Sequence, residues 1–141
     1  MPYLGSQIQF LQGHVENFLP PTDKYDFILH MATTSAEETF QGFSQTQKLR
    51  MLFEGAQRVI ELAKNCGSKR ILFTSSGAVY GSQLCDFIQE SALMQIDPLN
   101  SESGLALGKS VAEFLLRQAS AESSLEIVIA RCFAFVGPGI P

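Results

Sequence analysis

The residues best suited to chemistry lie in one stretch, Arg70-Ile71-Leu72-Phe73-Thr74-Ser75-Ser76-Gly77-Ala78-Val79-Tyr80-Gly81. Its apolar run reads as a buried strand whose carboxyl end releases three adjacent hydroxyls followed by glycines. Hydroxyls donate and accept hydrogen bonds, and open α/β sheets hold ligands at that end of their strands. The same residue types also make turns and helix caps, so the cluster alone does not define a site. Lys109 is a second candidate, a cation within a helical pattern; a solvated surface lysine is the plainer reading. His14 and His30 are far apart, and Cys66, Cys85 and Cys132 form no C-x-x-C pair. No metal site is expected from such spacing.

These side chains need a scaffold, and the apolar pattern supplies one. Short continuous runs alternate with stretches of helical spacing, as when strands of a parallel sheet alternate with covering helices. The predicted fold class is therefore α/β. The expected strands are Ile8–Leu11, Phe27–Leu29, Ile71–Phe73 and Ile127–Ala130. Between the second and third, Leu49, Leu52, Phe53, Ala56, Val59, Ile60 and Ala63 recur at steps of three and four. That stripe predicts a helix over Gln45–Cys66 facing the sheet, closed by Gly67 in a left-handed cap. A second helix is expected after Ser103, with Val111, Ala112, Leu115, Leu116 and Ala119 on one face. Residues Gly81 to Asn100 show little periodicity and contain Asp97-Pro98, so they read as a long surface excursion.

Composition narrows the partners. The chain has 141 residues, 45% hydrophobic and 17% charged, which excludes disorder and a coiled coil and suits one ordinary core. A net charge of −4 without a Lys/Arg run gives no footprint for nucleic acid. No basic leader precedes an apolar block in Met1 to Gln12, and no apolar run reaches membrane-spanning length, so neither export nor a membrane partner is expected. Three scattered cysteines point to a reducing, cytoplasmic setting.

Several landmarks in order resemble a known family. The run Thr74-Ser75-Ser76-Gly77-Ala78-Val79-Tyr80-Gly81 is similar to the signature of the extended short-chain dehydrogenase/reductases, the NAD-dependent nucleoside-diphosphate-sugar epimerases and dehydratases. Tyr25-Asp26-Phe27-Ile28-Leu29-His30-Met31-Ala32-Thr33 resembles the family's strand ending in H-x-A-A. Gly108-Lys109-Ser110-Val111-Ala112-Glu113 resembles its G-x-S-K-x-x-x-E helix. Ile129-Ala130-Arg131-Cys132-Phe133-Ala134-Phe135-Val136-Gly137-Pro138-Gly139 resembles its R-x-F-x-x-x-G-P-G strand and loop.

The resemblance implies a Rossmann-like doubly wound parallel sheet and NAD or NADP as cofactor, with a nucleotide sugar as substrate. Hydride transfer at a sugar carbon would be followed by epimerisation or dehydration. It implies that Ser76 and Lys109 are catalytic, and that His30, Ala32, Thr33, Thr74, Ser75 and Lys109 lie along the dinucleotide. In the family a tyrosine four residues before the lysine, aided by that cation and a Ser or Thr, takes the proton from the sugar hydroxyl. That position is Leu105, and leucine has no proton to give or accept. Gly13-His14-Val15 falls where the family has G-D-[VI], Leu52 falls where it often has Asn, and Gly108 precedes the lysine.

The glycine-rich turn that cradles a pyrophosphate at a helix N-terminus is also absent. In family terms residues 1–141 are expected to be a single partial domain beginning at the third strand, without the first β-α-β unit and without the substrate domain. With sheet order 3-2-1-4-5-6, Ile8–Leu11 would lose its neighbour and the Phe27–Leu29 strand would present a bare edge. That edge is expected to close by re-pairing of the first strand or by self-association. The implied activity is thus expected to be impaired. The alternative is a non-catalytic pseudoenzyme that binds a nucleotide sugar or a protein.

Overall fold

The computed structural model describes residues 8–33, 42–134 and 137. Most of the Gly137-Pro138-Gly139 landmark therefore lies outside the described residues, as do the first seven positions. Three strands, β1 (Phe27–His30), β2 (Arg70–Ser76) and β3 (Glu126–Cys132), form a parallel sheet in the order β1-β2-β3. Two helices make the crossovers, α1 (Gln45–Cys66) between β1 and β2 and α2 (Gly104–Ala121) between β2 and β3. The register runs Phe27↔Arg70↔Glu126 through Leu29↔Leu72↔Val128 to Ser76↔Cys132.

Local chemistry fixes both ends of α1. The Ser44 hydroxyl accepts from the Gln47 N–H at 3.2 Å while the Gln47 side chain accepts from the Ser44 N–H at 2.8 Å, a reciprocal capping box. Gly67 ends the helix at φ 69°, ψ 33°, a left-handed conformation that favours glycine. The apolar stripe of α1 meets that of α2, and both cover one face of the sheet. There Ala56, Val59, Ala63, Ala112, Leu116 and Ala119 enclose Ile71 and Phe73. Gly104 and Gly108 let the helices approach: a Cβ on Gly108 would stand 2.7 Å from Leu52 Cδ1, and one on Gly104 would strike the Gln45 carbonyl.

The opposite face is uncovered among the described residues. Phe27 and Leu29 are 63% and 67% exposed, and Val128 is also exposed. Parallel sheets are normally buried on both faces.

Two expectations are corrected. Ile8–Leu11 is not a strand; it is exposed and has no ladder partner among the described residues. A lone apolar tetrapeptide does not form a strand without a neighbour to pair with, so re-pairing of this segment does not close the β1 edge. The second difference concerns β2, which continues past Phe73 to Ser76, placing the hydroxyl cluster inside the strand. A short 3₁₀ turn (Gly77–Tyr80) follows, with Ser76 as its N-cap. The excursion after Gly81 is mostly exposed and returns to the fold where Gln95 N–H donates to the Tyr80 carbonyl at 3.0 Å.

Candidate functional site

At the carboxyl ends of the strands lies a cavity of about 290 Å³. Thr33, Thr74, Ser75, Ser76 and Lys109 line it, together with Met31, Leu105, Cys132 and Phe133. Five of the seven residues assigned to the site from sequence therefore meet in one place. His30 lies behind them, its ring stacked on Phe73 at 5.1 Å between centroids. Ala32 borders a different cavity of about 500 Å³, shared with Gly13, His14, Val15, Phe18 and Tyr25 beside β1.

Lys109 reaches inward from α2. It is 3% exposed, its Nζ donates to the Thr74 carbonyl at 2.7 Å, and it sits 4.8 Å from the Phe73 ring centroid. Burial lowers its pKa to about 8, against the opposing pull of Cys132 and Glu113. The Ser76 hydroxyl accepts from the Ala78 N–H at 3.2 Å, so its own proton is available to a ligand. Thr74 Oγ1 donates to the His30 carbonyl at 3.4 Å, a long bond that ties β2 to β1.

Ser75 is placed differently from its neighbours. Its hydroxyl donates to Glu113 Oε1 at 2.5 Å, and both groups are buried. Arg131 completes the network from β3, with Nε 3.1 Å from Oε1 and an amino group 2.8 Å from Oε2 of the same carboxylate. The guanidinium also lies 4.8 Å from the Tyr80 ring centroid, and Tyr80 stacks on Phe133. The Glu113 hydrogen bonds hold the Arg131 pKa above its ordinary value. Ser75 thus helps fasten β2 to α2 and β3, while Ser76 and Lys109 face the cavity.

His30 is 4% exposed, and its Nε2 has no hydrogen-bond partner among the described residues. Burial first, then the Lys109 charge, push its pKa down to about 4, so the ring is neutral near pH 7.

Sequence reasoning gave no role to Cys132 or Phe133. Cys132 reaches the site as the register partner of Ser76, a pairing across strands that the sequence alone does not show. Phe133 closes over Gly77, where a Cβ would collide with its ring. Leu105 lies one helical turn before Lys109 and lines the same cavity.

The residues present match only part of a dinucleotide. Ser76, Thr33, Thr74 and Lys109 offer polar groups suited to a ribose or sugar. Among the described residues no helix opens from a glycine-rich turn; the N-terminus of α1 is closed by its own capping box and that of α2 is packed against Gln45. A pyrophosphate cradle is therefore not supplied by them.

A three-stranded parallel sheet with crossover helices and a polar cavity at the strand ends defines a Rossmann-like α/β protein. Residues 12–141 match the NAD dependent epimerase/dehydratase family, and the chain belongs to it. UDP-glucuronic acid decarboxylases 5 and 3 of Arabidopsis thaliana are each 34% identical over 113 residues, 80% of this chain. The chain spans about a third of the length of these relatives, 33% and 32%. Among solved structures, RMD from Pseudomonas aeruginosa complexed with NADPH superposes with a TM-score of 0.66 at 26% identity, over 89% of this chain and 42% of the other. MoeE5 in complex with UDP-glucose and NAD gives 0.63 at 26% identity, over 81% and 36%.

Proposed function

We propose that this chain binds a nucleotide sugar at the cavity beside Ser76 and Lys109 and is impaired in the family's hydride-transfer chemistry. One observation carries the reading: the wall of that cavity one turn before Lys109 is the apolar side chain of Leu105. Ser76 can donate its hydroxyl proton to a sugar oxygen, and Lys109 supplies an ammonium or amine donor beside it. Neither arrangement gives the sugar hydroxyl a phenolate to lose its proton to, and Leu105 cannot act as general base. The chain then works as a pseudoenzyme-like binding module.

Titrating UDP-glucose into the purified chain by calorimetry tests this. Saturable heat that Lys109→Ala weakens at least tenfold is expected; no heat at millimolar ligand would refute it. A second reading, retained turnover, is favoured by the Ser76 and Lys109 placement and is separated from the first by product analysis.

The same reading extends to setting and assembly. Residues 1–141 act as one partial NAD(P)-binding domain in the reducing cytoplasm. The uncovered β1 edge and apolar sheet face promote self-association. No described helix is long and apolar enough to cross a membrane.

A further inference from the structure

We propose that the Lys109 amine is a nucleophile toward carbonyl compounds, condensing with an aldehyde or ketone that enters the cavity beside Ser76 to form an imine. This goes beyond the binding role proposed above and requires no cofactor.

Among the described residues no carboxylate lies within ion-pair distance of Lys109. Glu113, one turn along the helix, is engaged by Ser75 and Arg131. The one hydrogen bond Lys109 makes among the described residues, to the Thr74 carbonyl, aims the nitrogen without neutralising it. Met31, Leu105 and Phe133 line the same cavity, and burial of the amine favours its uncharged form against the opposing pull of the Phe73 ring face at 4.8 Å. The titratable groups that act on it are Cys132 from β3, Glu113 from α2 and, from β1, His30.

The step balances without a redox partner. The nitrogen lone pair adds to the carbonyl carbon, and the carbonyl oxygen takes up a proton released from nitrogen. The resulting carbinolamine loses that oxygen as water as the C=N bond forms. The Ser76 hydroxyl, on the same cavity wall, can hydrogen-bond the carbonyl oxygen during addition. Amine and carbonyl thus become imine and water.

Reductive trapping of the full chain tests this, using D-glyceraldehyde with sodium cyanoborohydride at pH 7.5 and peptide mass spectrometry. A pKa of about 8 against an ordinary lysine value gives Lys109 on the order of 100-fold more free amine than an exposed lysine. Allowing for the lower nucleophilicity of a weaker base, it should be modified at least about tenfold faster than exposed Lys64. Buried Lys48, outside the cavity, controls for burial. A Leu105→Trp variant, which fills the cavity, should slow labelling of Lys109 but not of Lys64 while the circular dichroism spectrum stays unchanged. Labelling of Lys109 no faster than Lys64, or unaffected in a folded Leu105→Trp chain, would overturn the proposal. Neither result depends on UDP-glucose binding, so failure here and failure of the binding reading are distinguishable.

Discussion

Gly108 sits inside α2, where alanine would ordinarily be favoured by about 1 kcal/mol. Here the gain should be reversed. A Cβ at this position meets Leu52 Cδ1 at 2.7 Å, Leu52 Cβ at 3.1 Å and the Leu49 Cα at 3.2 Å. Leu52 is 3% exposed and has nowhere to retreat. Overpacking of this kind costs about 1–3 kcal/mol, so Gly108→Ala should destabilise the chain by about 1 kcal/mol net. Leu52→Ala alone should cost about 2–4 kcal/mol through lost burial and a cavity. In that background the Cδ1 clash is gone while the Cβ of residue 52 and the Leu49 Cα stay within 3.1 and 3.2 Å, so Gly108→Ala should cost far less, near zero. The double-mutant cycle therefore predicts a coupling of about 1–2 kcal/mol, measured by urea unfolding followed at 222 nm. An equal shift for Gly108→Ala in both backgrounds would refute the reasoning. The cycle also explains two departures from the family pattern together: Leu52 occupies the volume that a side chain at position 108 would need.

Three further outcomes follow from the site and the sheet. His30 has a folded-state pKa of about 4, below its unfolded value near 6.5. The unfolded chain therefore binds the proton first, and stability falls as pH drops from about 6.5 toward 4, by up to about 3 kcal/mol; His30→Leu should flatten that slope in pH-dependent urea melts, and an unchanged slope would contradict the assignment. Glu113→Ala, which strands Arg131 and the Ser75 hydroxyl, should cost about 2–4 kcal/mol in thermal and urea unfolding, and a loss below about 0.5 kcal/mol would show the network to be incidental. Light scattering across a concentration series should show mass above that of one chain, abolished by Leu29→Lys on the open face; a strict monomer in the unmodified chain would rule self-association out.

Much of this was legible in the residues because local signals and packing agree. The α1 boundaries follow from the apolar stripe and from Gly67, and α2 begins after Ser103 where its own stripe begins. The three core runs become adjacent parallel strands because each is short, continuous and bounded by polar residues. Ile8–Leu11 misled because an apolar run becomes a buried strand only where another strand pairs with it; without one among the described residues it stays exposed. The hydroxyl cluster was found, but its division was not: all three residues border the cavity, yet one-residue alternation along β2 commits the Ser75 hydroxyl to Glu113 and leaves the Ser76 hydroxyl proton free. That division depends on α2 and β3, which lie far along the chain. Cys132 escaped notice for the same reason, since register across strands places it beside Ser76.

The central claim, a nucleotide-sugar cavity whose proton acceptor is replaced by Leu105, is tested most directly by product analysis. The chain is incubated with NAD and UDP-glucuronic acid, or with NAD and UDP-glucose, and the nucleotide sugars are separated by chromatography. The account predicts that both sugars are recovered unchanged. Conversion by the unmodified chain that disappears in Lys109→Ala would contradict it.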